Sequence, residues 1–218
     1  MTRDLHCCTS KLTLDSLQPM RADNLRYWQY FIALENDFAA TTRFVELADA
    51  NMQTYSIEYA RLLLSAGSEI DVLAKVLCQR HGLVPRPRNI DGYRDAIVSR
   101  FPGFATLQVR LPRFSRTLLP WADWSHGSNP SWWRAYNDVK HERNANFAAA
   151  SLSNTMNSMA GLFTMLCYCC RAQLWSREAQ PWPQIFSLDP ALSGVEGADL
   201  RTGFKIPGFP APTAADLV

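Results

Sequence analysis

The segment Asn129-Pro130-Ser131-Trp132-Trp133-Arg134-Ala135-Tyr136-Asn137-Asp138-Val139-Lys140-His141-Glu142-Arg143 carries the pattern from which fold and chemistry are both read. Asn129 is suited to cap a helix, and Pro130 to fill its first position, where a missing N–H costs nothing. At about 100° per residue, Trp132, Ala135, Tyr136 and Val139 share one face. Arg134, Asn137, Asp138 and His141 share the opposite one. Arg134 and His141 stand nearly in line, roughly 10 Å apart along the axis. A cation, an amide, a carboxylate and an imidazole in one stripe make a catalytic or anion-binding set. The same stripe is also the solvated face that any amphipathic helix presents.

Downstream of Phe147 a last long helix is expected to run to about Glu178. Leu152, Met156, Met159, Phe163, Leu166, Cys170 and Leu174 form its seam, which is a core or helix-pairing stripe and not a cofactor box. From Pro181 onward dense prolines and glycines predict an extended tail, residues 181–218, that packs back through Trp182, Ile185, Phe186 and Phe204. Upstream, residues 1–22 read as an arm punctuated by Pro19. A first helix from about Asp23 to Asn51 follows, with Trp28, Phe31, Leu34, Phe38, Val45 and Ala48 at helical spacing. A second, from about Thr54 to His81, buries Leu62, Leu63, Ala66, Ile70, Leu73 and Leu77 and carries a polar stripe of Glu58, Arg61, Ser65, Ser68 and Glu69. Two long helices with a short link form a helical hairpin.

Between the hairpin and the signature helix lies an insertion, residues about 83–129. Pro85 and Pro87 forbid regular helix there. A short helix from about Ile90 to Phe101 and a strand over Leu107–Leu111, alternating with period two, are expected, with a returning partner before Pro120. Trp121 to Asn129 reads as a loop. Arg86, Arg88, Arg94, Arg100, Arg110, Arg113 and Arg116, interleaved with Phe101, Phe104, Phe114 and Trp121, either touch RNA by charge and stacking or are scattered solvated arginines. The expected fold is all-α: a four-to-five-helix bundle over residues 1–180 as one domain, with a small β-like insertion and an extended tail.

The composition is ordinary for a globular chain, and a net charge of +2 does not by itself announce a nucleic-acid binder. The cysteines Cys7, Cys8, Cys78, Cys167, Cys169 and Cys170 are clustered, unlike a secreted disulfide framework; Cys167 and Cys170 alone share a helix face, and no histidine lies near them in sequence. Reduced, mostly buried thiols in a cytoplasmic protein are the expectation, ahead of a zinc site. No secretory signal is expected, and the longest apolar stretch, Met159 to Cys170, is too short to span a bilayer. There is no phosphate loop, dinucleotide glycine fingerprint, nucleophile elbow or zinc-protease helix, so no cofactor is expected.

A four-helix bundle with a long first hairpin and an Arg…His pair early in a later helix resembles the HEPN superfamily. That family's hallmark is an Arg followed by four to six residues and a His, and Arg134-x₆-His141 meets the upper end of the spacing. The surrounding Pro130-x-Trp132-Trp133-x-x-Tyr136-Asn137-x-Val139-Lys140-His141-x-Arg143 is similar to a variant in bacterial HEPN-like proteins of unassigned role. The resemblance covers residues 23 to 178 in outline, on a short motif. Ala135 departs from the polar residue usual after the Arg in active members, and Asn137, one turn later, is the residue available to take its part.

Many members are metal-independent endoribonucleases, toxins or antiviral effectors, whose motifs meet across a homodimer. The resemblance therefore implies His141 as general acid or base, Arg134 as phosphate clamp, and Asn137 orienting His141 or substrate. Lys140 and Arg143 would hold flanking backbone, with Asp138 on the same substrate-facing stripe and Glu69 steering Arg134. The chemistry suits them: an imidazole with pKa about 6.5 moves a proton at neutral pH, and a forked guanidinium stabilises charge on phosphate. The implied partners are RNA, a second copy and an antitoxin or other protein, with no membrane. The alternative is a HEPN-like module that does no chemistry and serves in binding or dimerisation. An enzyme should hold Arg134 and His141 in an open cleft, whereas a structural module should bury them in complete hydrogen bonding.

Overall fold

The computed structural model describes residues 14–83 and 87–188. Its backbone is a helical bundle: α1 Leu14–Thr41, α2 Ile57–Arg80, α3 Ile90–Arg100, α4 Ser131–Asn146, α5 Leu152–Cys169 and the short α6 Arg171–Trp175. A small antiparallel sheet, in the order β2-β1-β3, is built from β1 Val109–Leu111, β2 Arg116–Leu118 and β3 Ser187–Leu188. The helical bundle and the ribbon in the insertion agree with expectation. The third strand, drawn from the tail, does not.

At the centre is a pair of parallel helices. Tyr55 and Ser151 form an isolated bridge, and Leu152 N–H donates to the Thr54 carbonyl at 2.8 Å, so α2 and α5 start side by side. Ser56 and Ser151 cap them, each accepting from the backbone N–H three residues on. Further along, Thr155 Oγ1 donates to the Tyr59 carbonyl and the Cys169 thiol to the Leu73 carbonyl, the same offset of 96 residues at both places. The register thus holds over roughly 20 Å of helix. The expected seam of α5 is buried throughout, but so is its other side: from Leu162 to Cys170 every residue is buried. This is a central helix and not an amphipathic one, because other elements cover its flanks.

Several boundaries differ from the sequence reading. α1 starts at Leu14, inside the expected arm, and Pro19 removes a single backbone donor within it. It stops at Thr41 instead of near Asn51, because Thr41 and Thr42 hydroxyls donate to the Phe38 and Ala39 carbonyls and satisfy the helix end locally. The expected loop at 121–129 holds a 3₁₀ helix, Ala122–His126. The last helix does not run unbroken to Glu178: α5 gives way to α6 at Cys170, and Arg177 takes a positive φ as the chain reverses.

That reversal brings the start of the tail back onto the bundle, as the sequence suggested for Trp182, Ile185 and Phe186; Phe204 lies outside the described residues. The device holding it was not foreseen. Glu35, on the buried face of α1 and 1% exposed, accepts the backbone N–H groups of Gln184, Ile185 and Phe186 at 2.8–3.0 Å. Trp28 Nε1 donates to the Pro181 carbonyl beside it, and Phe186 fits among Phe31, Phe38 and Phe163. A buried carboxylate is tolerated where backbone donors saturate it. Glu35→Ala strands those three donors and should lower the unfolding free energy by about 3 kcal/mol or more in denaturant titration, with β3 amides losing hydrogen-exchange protection first.

Candidate functional site

The signature helix is placed by two aromatic residues meeting two glycines. Trp132 and Tyr136 lie one turn apart on the buried face of α4. A Cβ added at Gly67 of α2 would overlap the Tyr136 ring, and one at Gly161 of α5 would stand 3.0 Å from the Trp132 ring. Trp132 Nε1 donates to the Pro120 carbonyl and Trp121 Nε1 to the Gly161 carbonyl, and the two indoles meet edge to face at 4.9 Å. α4 is thereby wedged onto the α2–α5 pair at fixed depth and rotation. The burial expected for Trp132, Ala135, Tyr136 and Val139 is observed, and Trp133 is buried with them. Asn129 does not cap the helix. Pro130, extended at ψ 148°, is the cap residue, and Asn129 Nδ2 instead donates to Asp91 Oδ1, tying the helix start to α3.

The opposite face carries the expected stripe. Arg134, Asp138 and His141 are exposed, and among the described residues Arg134 and His141 make no ion pair or side-chain hydrogen bond. Asn137, half-buried, donates to the Trp133 carbonyl one turn back, which spends its amide nitrogen on its own helix and leaves its oxygen outward. Lys140 sits with its ammonium 5.3 Å over the Tyr136 ring, and Arg143 is exposed. The stripe is neither buried in hydrogen bonds nor sunk in an enclosed cleft.

Glu69 does not join it. Gly67 faces α4, and two further residues of helix turn Glu69 by about 200°, onto the far side of α2. Among the described residues it makes no bond to Arg134, and burial raises its carboxyl above the ordinary value. The arginine-rich insertion also reads differently in three dimensions. Phe101, Phe104 and Trp121 are fully buried and offer no face for stacking. Arg94 is held by Asp91 and Asp95, and Arg116 by Asp49 and the Leu47 carbonyl; Arg86 lies outside the described residues.

Immediately after His141 the helix breaks. Glu142 has φ −139° and ψ 62°, and Asn146 Nδ2 reaches back across the break to the Asp138 carbonyl. No proline or glycine marks this point in the sequence. The break swings Arg143 and Asn144 toward α2 and opens two adjoining grooves. One, about 680 Å³, is lined by Val139 to Ala145 and Leu64. The other, about 700 Å³, has an apolar floor of Ile57, Ala60, Leu64 and Phe147 beneath Arg61, Arg143 and Asn144. Leu64, Arg143 and Asn144 belong to both. His141 is thus a groove residue, and Arg134, about two turns away, is not.

No group of three or more His, Cys, Asp or Glu side chains suited to a metal ion occurs among the described residues. Cys78, Cys167, Cys169 and Cys170 are buried and in no disulfide, whereas Cys7 and Cys8 lie outside the described residues. Burial pushes the Cys78 thiol up to about 11 and Cys169 to about 12, and moves Cys167 and Cys170 upward too. No family model, curated protein or solved structure matches the chain.

Two measurements check this account. Gly67→Ala should destabilise the fold by about 1–3 kcal/mol in denaturant unfolding, because the added methyl collides with a ring that cannot retreat. Pairing it with Tyr136→Leu should recover part of the loss. The four buried thiols should resist iodoacetamide at pH 8 until the protein is unfolded. Their folded pKa values lie above the unfolded value of about 8.5, so the stability they contribute is complete below that pH and is lost as pH climbs through the folded values.

Proposed function

We propose that this chain is a HEPN-like, metal-independent endoribonuclease whose working site forms where the exposed face of α4 meets RNA and a second copy of the chain. The observation that carries the reading is the state of Arg134 and His141. Both stand exposed on one face of a helix anchored by buried tryptophan and tyrosine, with no protein partner among the described residues. A guanidinium and an imidazole left unpaired on a rigid element are available to a phosphate, whereas a purely structural pair would be hydrogen-bonded inside.

In this reading His141 accepts the proton of a ribose 2′-OH. The 2′ oxygen then attacks phosphorus, the bond to the 5′ oxygen breaks, and that oxygen takes a proton from the acid opposite, the second copy's imidazole or water. A 2′,3′-cyclic phosphate and a 5′-hydroxyl result. Arg134 neutralises the charge gathered on the phosphoryl oxygens, and Lys140 and Arg143 hold adjacent backbone. The open surface around Arg134 supports a composite site, since a second copy would supply the missing wall.

A binding module remains the second reading, favoured by one observation: Arg134 lines neither of these two grooves. The two readings part on a single assay. Total RNA incubated in EDTA should be cleaved by wild type, and Arg134→Ala or His141→Ala should each reduce the rate about a hundredfold or more while leaving the circular dichroism spectrum and unfolding midpoint unchanged. Cleavage undiminished in both variants sinks the assignment. An inert wild type turns the case to the module.

A further inference from the structure

Apart from Arg143 at its rim, the apolar groove beside His141 has no role in the chemistry described above. Its floor of Ile57, Ala60, Leu64 and Phe147 is unusually open: Ile57 is 76% exposed although it is the first residue of α2. Phe147 meets Tyr55, itself half-exposed, edge to face at 5.5 Å, which holds its ring in place at the groove's end. Of the two arginines above this floor, Arg61 is engaged by Asp37 and Glu58, while Arg143 makes no ion pair among the described residues. Asn144 adds an exposed amide, able to donate and accept. Through Arg143 and Asn144 the groove continues into the one lined by Lys140, His141 and Glu142.

We infer that this groove is a nucleobase subsite for single-stranded RNA, taking the base of the nucleotide next to the phosphate at His141. The inference rests on the ribonuclease reading for which phosphate is bound, though not for whether it is cut. The chemistry fits a base better than a purely apolar ligand. An aromatic edge and aliphatic floor offer a surface for a flat π-system, a free guanidinium meets the backbone at the rim, and an amide faces the base edge. Arg143 bridges both grooves, so one strand satisfies them together: phosphate over the cations, base over the floor. Glu142, exposed, is the one carboxylate in that lining, so a phosphate there sits over Lys140, His141 and Arg143 and away from it.

The test uses full-length protein and a short single-stranded RNA of mixed sequence, 2′-O-methylated so that it cannot be cleaved. An abasic strand of the same backbone serves as the comparison. Wild type should bind the intact strand at least tenfold more tightly than the abasic one. Phe147→Leu, which keeps an apolar side chain but removes the ring, should weaken the intact strand about tenfold and leave the abasic strand unchanged. Ile57→Glu, at an exposed helix start where an acid is well tolerated, should weaken both. Equal affinity for intact and abasic strands, no binding of RNA, or indifference to Phe147→Leu and Ile57→Glu overturns the subsite. Ribonuclease activity that survives Phe147→Leu with unchanged KM leaves the nuclease standing and removes the subsite. Base-dependent binding by a protein that never cleaves RNA does the reverse.

Discussion

Close approach of α4 to two neighbouring helices, at Gly67 and Gly161, is the constraint on which the rest depends. Each glycine admits an aromatic ring, where a methyl would overlap at Gly67 and press tightly at Gly161, and the two rings come from adjacent turns of one helix. A helix pinned at two such points can neither rotate nor slide without opening a cavity. Its exposed stripe is consequently fixed in direction even though, among the described residues, the Arg134 and His141 side chains make no hydrogen bond. Rigid backbone and free side chains together are what a surface site requires: the first lowers the entropy of binding, and the second leaves the charges available.

The same wedge explains the grooves. α4 crosses α2 antiparallel, since Phe147 lies near Ile57 and Tyr136 near Gly67. Had the helix continued straight past His141, its last turn would have run on along α2. The break at Glu142 instead redirects that turn, swinging Arg143 and Asn144 over α2, and the Asn146 amide donates to the Asp138 carbonyl across the break. An irregularity of one residue thereby converts a packed helix end into an open apolar floor bordered by cations.

Much of this was legible from residue spacing. The face of α4 that buries Trp132, Ala135, Tyr136 and Val139, and the stripe opposite it, follow from a 3.6-residue period alone. So do the buried positions of α2 and the helical identity of each long segment. What spacing could not give was the azimuth of one helix against another. Glu69 was expected to steer Arg134 on the helix packing that the resemblance implies, yet the direction in which α2 faces α4 is set by Gly67, whose presence inside a good helix was the available signal. Phe101, Phe104 and Trp121, for which the sequence left RNA stacking open, are core because they pack on Tyr168 of α5 and on one another, contacts that no local window contains. Glu35 was hidden for a similar reason: a carboxylate on a buried helix face makes sense only with donors 149 to 151 residues away.

That last distance matters during synthesis. A ribosome adding roughly 5–20 residues per second needs on the order of ten to thirty seconds to pass from Glu35 to the amides that receive it. For that interval α1 carries a carboxyl group on the side that must face the core, and docking it would bury a polar group without partners. The final packing of α1 is therefore fully satisfied only once Gln184, Ile185 and Phe186 have been made.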